Sequence, residues 1–177
     1  MAAGEKRKNI RLSEENVNFR MMNLIRKVHG MIDDPDIEKH RHSQNQVGAL
    51  LGNQKDVLIT PVKIKDMEAE WVCANRVHMK KYVILYCHGG GYSTGSRIYA
   101  RTLTDKLAQS TSMDVLCFDY RLSPENPYPA ALEDALKVWD YLMLYGYGAR
   151  DVIIAGDSAG GNLALSLTLK LKEEGRL

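Results

Sequence analysis

Nowhere in the 177 residues does an apolar run reach the length of a membrane span. The start, Met1-Ala2-Ala3-Gly4-Glu5-Lys6-Arg7-Lys8, leads into no apolar stretch of signal-peptide length. Stable membrane insertion is therefore not expected. An excess of charge of one sign is also missing: 24 basic and 22 acidic residues leave a net charge of +2, too little to favour a polyanion, so no nucleic-acid partner is expected. The cysteines are few and odd in number, Cys73, Cys87 and Cys117, and each lies in an apolar, strand-like run. Buried thiols fit this better than a disulfide framework, which suits a reducing compartment and a cytoplasmic location. There is no internal repeat, low-complexity segment or Pro/Gly/Ser linker.

What is present falls into two parts, residues 1–50 and 51–177. Lys6, Arg7, Lys8 and Arg11 read as a solvated basic tail. Ser13 is a suitable N-cap for a helix over Glu14 to His29, with Val17, Met21, Leu24, Ile25 and Val28 on one face and Gly30 as its stop. That face either packs on the domain or lines an acyl site with adaptable methionines such as Met21 and Met22. After Asp33-Asp34-Pro35, a weaker helix is expected from Asp36 to about Val47, polar enough to suggest an exposed or mobile piece.

From Asp56 the apolar period becomes two, through Val57, Ile59, Val62 and Ile64 and then Trp71 and Cys73, which predicts an antiparallel pair turning near Asp66. Strands and helices then alternate: strand Lys81 to Cys87, helix Ile98 to Gln109, strand Asp114 to Tyr120, helix Ala130 to Tyr145, strand Asp151 to Ala155 and a helix from about Gly160 to Glu174. In that last helix Leu163, Leu165, Leu167, Leu169 and Leu171 predict burial around much of its circumference. Pro124, Pro127 and Pro129 fix a loop between Leu122 and Ala131. Arg121, at a strand end, is expected to be paired with Glu125 or Asp157.

Two motifs carry the chemistry. Gly156-Asp157-Ser158-Ala159-Gly160 follows an apolar strand and precedes an apolar helix, the context of a sharp turn that exposes a serine hydroxyl. Glycines two residues to either side of Ser158 are what such a turn demands, because side chains there would collide with the neighbouring strand or helix. Ser158 is thus the candidate nucleophile, and Ala159 N–H at the helix N-terminus a candidate donor to an oxyanion. The second motif, His88-Gly89-Gly90-Gly91, closes the strand Lys81 to Cys87, and the Gly89 and Gly90 amides are the remaining candidate donors. His88, Gly91 and Asp157 are read as supports, His88 holding the loop and Asp157 anchoring the turn.

Together with Asp119-Tyr120-Arg121-Leu122-Ser123-Pro124-Glu125 and Tyr128-Pro129-Ala130-Ala131-Leu132-Glu133-Asp134, these motifs resemble the set of the hormone-sensitive-lipase-like branch of α/β-hydrolase esterases, over about Asp56 to Leu177. The resemblance implies an α/β-hydrolase fold, a mostly parallel sheet with flanking helices, with residues 1–50 as tail and helical cap. It also implies hydrolysis of small or medium carboxylic esters, with Ser158 as nucleophile, Gly89, Gly90 and Ala159 as oxyanion hole, and no metal or organic cofactor.

In such a family the acid and base come later in the chain. Here the sequence ends 19 residues after Ser158, and all five histidines precede it. His40 and His42 belong to the cap and have no carboxylate at a fixed spacing. The expectation is therefore that an aspartate and a histidine are supplied by a missing C-terminal segment or a second chain that also completes the sheet, and that the 177-residue chain alone is inactive. A catalytically silent ligand-binding protein on the same fold and an inactive fragment are the alternatives.

Overall fold

The computed structural model describes residues 36–52, 56–77 and 81–177. The chain divides into two compact units, Met1–His40 and Arg41–Leu177. The expected helix Glu14 to His29 lies outside the described residues, as do His29 and His78. The elements are α1 (Ile37–Leu51), β1 (Val57–Ile64), β2 (Met67–Ala74), β3 (Val83–Cys87), α2 (Arg97–Thr111), β4 (Asp114–Phe118), α3 (Ala130–Tyr145), β5 (Val152–Gly156) and α4 (Ala159–Glu173). A single 3-10 turn, Ala149–Asp151, leads into β5.

The strands form one sheet in the order β1-β2-β4-β3-β5. It is mixed: β1 with β2 and β2 with β4 are antiparallel, while β3 pairs in parallel with both β4 and β5. Period-two alternation divides the side chains between two apolar layers. Val83, Leu85, Cys87, Leu116 and Phe118 face the layer that contains Trp139 and Leu142 of α3 and Leu163, Leu167 and Leu171 of α4. Ile84, Tyr86, Val115 and Cys117 face the layer with Ala100 and Ala108 of α2. Because helices cover both faces, β3 and β4 are buried at every position.

Three expectations change here. The leucines of α4 do not all turn inward: Leu163, Leu167 and Leu171 are buried, whereas Leu165 and Leu169 are 67% and 62% exposed. Leucine at every second position necessarily places side chains on opposite sides of a 3.6-residue helix. The apolar run Val152-Ile153-Ile154-Ala155 of β5 reads in the sequence as buried on both faces, yet its Ile153 is 46% exposed; as expected, β5 pairs on one side only, with β3, among the described residues. Helix α1 does not stand free; from Arg41 onward its polar residues bond to the loop after β3.

Arg121 is paired, but with other partners than Glu125 or Asp157. Its Nε and Nη2 both reach the carboxylate of Asp134 at 2.9 Å, and its Nη2 also reaches Glu133 at 2.9 Å. Asp134 is fully buried on α3 and takes further hydrogen bonds from Arg121 N–H at 3.0 Å and Lys137 Nζ at 2.8 Å. Burial works against the charge of this carboxylate, and the bonds to Arg121 and Lys137 outweigh it, holding the group below the usual carboxylate range. The pair fastens the segment just after β4, at Tyr120-Arg121, to the first turns of α3.

A carboxylate with a lowered folded pKa contributes stability above its unfolded value, about 3.9, and loses that contribution as pH falls through the folded value. Arg121→Met should therefore lower unfolding free energy at pH 7 by about 2 kcal/mol, between the values for exposed and fully buried pairs, because Arg121 is partly exposed and Lys137 remains. Urea unfolding across pH should show the difference shrinking toward pH 3; a pH-independent difference would contradict an ionic origin.

Candidate active site

Strand β5 runs into α4 through Asp157 and Ser158. Ser158 is exposed and sits at φ 51°, ψ −123°, a region that non-glycine residues seldom occupy and that costs on the order of 1–3 kcal/mol. The surroundings enforce it. A Cβ on Gly160 would fall inside the carbonyl oxygens of Cys87 and His88, so α4 can start this close to the end of β3 only with glycine there. Across the same contact a Cβ on Gly156 would lie 2.6 Å from Cys87 O and 2.5 Å from the Gly160 carbonyl carbon. The turn is closed by Gly160 N–H and Gly161 N–H donating to Asp157 O at 2.8 and 3.2 Å, and by Asn162 N–H donating to Ser158 O at 3.2 Å.

The glycine loop leaves β3 beside this turn, and one carboxylate oxygen joins the two. Asp157 Oδ1 accepts hydrogen bonds from Gly89 N–H and from Tyr86 O–H, both at 2.9 Å. The Gly89 amide, expected to be an oxyanion donor, is thereby committed to Asp157. Gly90 follows at φ 119° and Gly91 at φ 62°, and the turn is closed by Ser93 N–H and Thr94 N–H donating to Gly90 O at 3.1 and 2.8 Å. Among the described residues, no acceptor is bonded to the N–H groups of Gly90, Gly91 or Ala159.

His88 lies fully buried beneath the loop, its ring stacked on Tyr120 at 4.1 Å and Nδ1 donating to Gly89 O at 2.8 Å. The opposite nitrogen, Nε2, has no hydrogen-bond partner among the described residues. Burial holds this imidazole below its ordinary pKa, against the opposing pull of Gly89 O, so it is neutral at pH 7. Burial likewise pushes the Cys87 thiol up to about 12. Tyr120 O–H donates to His88 O at 2.7 Å. His88 thus makes its contacts to the loop backbone, and Ser158 Oγ forms no hydrogen bond with any described residue. His42 is exposed and within hydrogen-bond distance of Gln46.

The sequence gives no role to Tyr86 or Asn162 and places Tyr92 only as the last residue of the motif His88-Gly89-Gly90-Gly91-Tyr92, yet each makes a contact at the motifs. Tyr92, at φ 60°, donates from its hydroxyl to Asn162 Oδ1 on α4 at 2.7 Å and accepts Ser123 N–H on its carbonyl at 2.8 Å. It ties the glycine loop, the proline loop and the serine helix together. Its place directly after three glycines was the available signal. A cavity of about 220 Å³ is lined by Tyr92, Asn162, Tyr128, Leu132, Leu163 and Ser166. A larger one of about 500 Å³ lies at the N-terminal ends of β3, β4 and β5, against Trp71, Tyr145 and Tyr147. No motif residue lines it, so volume alone is a poor guide to chemistry here. Both motifs follow carboxyl ends of parallel strands, where α/β sheets place their ligands. Among the described residues no cluster of three or more histidine, cysteine, aspartate or glutamate side chains could hold a metal ion, and no helix is long and apolar enough to cross a membrane.

Residues 84–177 match the family model for the alpha/beta hydrolase fold. The chain belongs to this family, in its hormone-sensitive-lipase-like branch. An esterase of Acinetobacter venetianus is 36% identical over 75% of this chain and 43% of its own length. An acetyl-hydrolase of Streptomyces hygroscopicus is 34% identical over 79% of this chain and 46% of its own. The crystal structure of an esterase from the bacterial hormone-sensitive lipase family superposes with a TM-score of 0.78 at 29% identity, covering 89% of this chain and 52% of that one. The chain thus spans about half the length of the relatives it matches.

The close approach at Gly160 predicts a contrast between neighbouring glycines. Gly160→Ala must displace backbone and should destabilise by about 3 kcal/mol, the upper end for overpacking. At Gly161 the nearest atom to a new Cβ, Gly156 O, lies at 3.3 Å, and a gain in helix propensity of about 1 kcal/mol offsets the contact. Chemical denaturation should separate the two variants; equal effects would contradict the proposed tight junction.

Proposed function

We propose that this chain carries the nucleophile and oxyanion hole of a serine carboxylesterase acting on small to medium acyl esters. The observation that supports this best is the pairing of an exposed Ser158, held at positive φ at the start of α4, with the backbone N–H groups of Gly90, Gly91 and Ala159, which have no acceptor among the described residues. Gly91 takes the place first expected for Gly89, whose amide serves Asp157. The names of the relatives, esterase and acetyl-hydrolase, favour ester substrates with short acyl groups.

In this reading Ser158 Oγ attacks the acyl carbon and its proton passes to a base. The carbonyl π electrons move to oxygen, where the three N–H groups stabilise the negative charge. Collapse expels the alcohol, which takes the proton back, and leaves an acyl-serine. Water, deprotonated by the same base, then releases the acid and restores Ser158. No metal or organic cofactor takes part.

The base and its acid partner, a histidine and an aspartate, come from a C-terminal segment or second chain that pairs with β5. Support for this lies in the edge of β5 that has no partner strand among the described residues, the exposed Ile153 on that strand, the exposed Leu165 and Leu169 on α4, and the length of the relatives. Such an apolar edge is a site for strand addition. The buried thiols of Cys87 and Cys117 favour a cytoplasmic location.

In the completed protein, Ser158→Ala should lower kcat toward p-nitrophenyl acetate by about 10⁶-fold. The 177-residue chain by itself should show a comparably low rate, rising when the completing polypeptide is co-expressed. Ordinary esterase rates in the Ser158→Ala protein would overturn the assignment.

A further inference from the structure

Helix α1 carries one stripe of residues, Arg41, Gln44, Asn45, Gly48 and Gly52, the last just past its end, spaced so that all fall on the same helical face. Every one of them meets the stretch that follows the glycine loop. Arg41 Nε donates to Ser93 O at 2.8 Å, and its Nη2 donates to Ser123 O at 3.0 Å. Nη1 and Nη2 also grip the Glu125 carboxylate at 3.1 and 2.9 Å. Gln44 Oε1 accepts Gly95 N–H at 3.0 Å, and Ser96 Oγ bonds to Asn45 Oδ1. A Cβ on Gly48 would penetrate the Ile98–Tyr99 backbone, and one on Gly52 would strike Arg101. The helix is notched to lie directly on α2.

We propose that Arg41 is a positioning residue for the oxyanion loop, and that α1 is a brace for that loop. This rests on the reading of Gly90 and Gly91 as oxyanion donors. The Ser93 carbonyl shares its peptide plane with Thr94 N–H, which donates to Gly90 O at 2.8 Å, and Gly90 O shares its plane with Gly91 N–H, so holding the Ser93 carbonyl steadies the turn that carries the Gly91 amide and follows the Gly90 amide. The guanidinium is suited to this because its planar set of donors can bridge acceptors on two loops at once, which a lysine ammonium on its flexible stem does less well. Arg41 is only 19% exposed, so water competes weakly for these bonds. Its pairing with Glu125 holds that carboxyl below its ordinary range. The carbonyls of Ser93 and Ser123 would otherwise bond to water, and the glycine-rich turn would sample more conformations.

The test uses Arg41→Met, Arg41→Lys and Glu125→Gln, with two independent readouts. Amide hydrogen exchange on the chain itself should show Arg41→Met speeding exchange at residues 90–95 by about tenfold or more, with β3 and β4 unchanged; Arg41→Lys should recover part of the protection, and Glu125→Gln most of it. In the completed protein, kcat should fall about 10- to 100-fold in Arg41→Met while KM changes less than about threefold. If Arg41→Met loses its native circular dichroism, Arg41→Lys carries both readouts with smaller changes in the same direction. Unchanged exchange at residues 90–95 in a folded Arg41→Met or Arg41→Lys protein would overturn the brace, and faster exchange with unchanged kcat would overturn the positioning role. An unmodified completed protein without ester hydrolysis would instead refute the functional reading, while the exchange readout still decides whether Arg41 holds the loop.

Discussion

One oxygen atom, Asp157 Oδ1, holds the serine turn and the glycine loop in fixed register. It accepts the Gly89 amide and the Tyr86 hydroxyl at 2.9 Å each, so the residue before Ser158 grips the residue after His88. Charge-assisted hydrogen bonds of this kind are about twice as strong as neutral ones. Much else follows from this juncture. The loop can pass so near only because position 89 has no Cβ, which would land on the Asp157 carboxylate. The helix can start so near only because position 160 has none. Gly89 N–H is committed to the scaffold, and the amides of Gly90 and Gly91 have no acceptor among the described residues.

Around this juncture the protein adds support in layers. His88 and Tyr120 stack beneath the loop, and Tyr120 O–H holds the His88 carbonyl. Tyr92 reaches across to Asn162 on the serine helix. Arg41 fastens the far end of the turn from α1. A backbone donor stabilises an oxyanion only if it need not reorganise as charge develops, and these contacts are how a run of three glycines, flexible by itself, is made rigid.

Much of the fold was legible in the chain because local chemistry and global arrangement agree. Helix Ala130–Tyr145 was placed to the residue, since Pro129 precedes it and Gly146 ends it at φ 111°. The hairpin of β1 and β2 followed from period two and turns at Lys65-Asp66. The two chemical motifs were visible because their glycines answer a backbone need that few other residues meet. What escaped was set by distance in sequence. Arg41 acts on residues 52 to 84 positions away, and the partners of Arg121 lie on a helix rather than beside it in the loop. Leu165 and Leu169 are exposed, because which side of α4 meets the sheet depends on neighbours that no local pattern names.

In the proposed function, Ser158 and the amides of Gly90, Gly91 and Ala159 act together as a preformed acyl-transfer site. A crystal structure of the completed protein after reaction with an alkyl phosphonate tests it most directly. The account predicts a covalent bond from Ser158 Oγ to phosphorus, with the phosphoryl oxygen about 3 Å from the N–H groups of Gly90, Gly91 and Ala159 and Gly89 N–H still on Asp157. An adduct on another residue, or a phosphoryl oxygen bound by Gly89 N–H with Asp157 displaced, would contradict it.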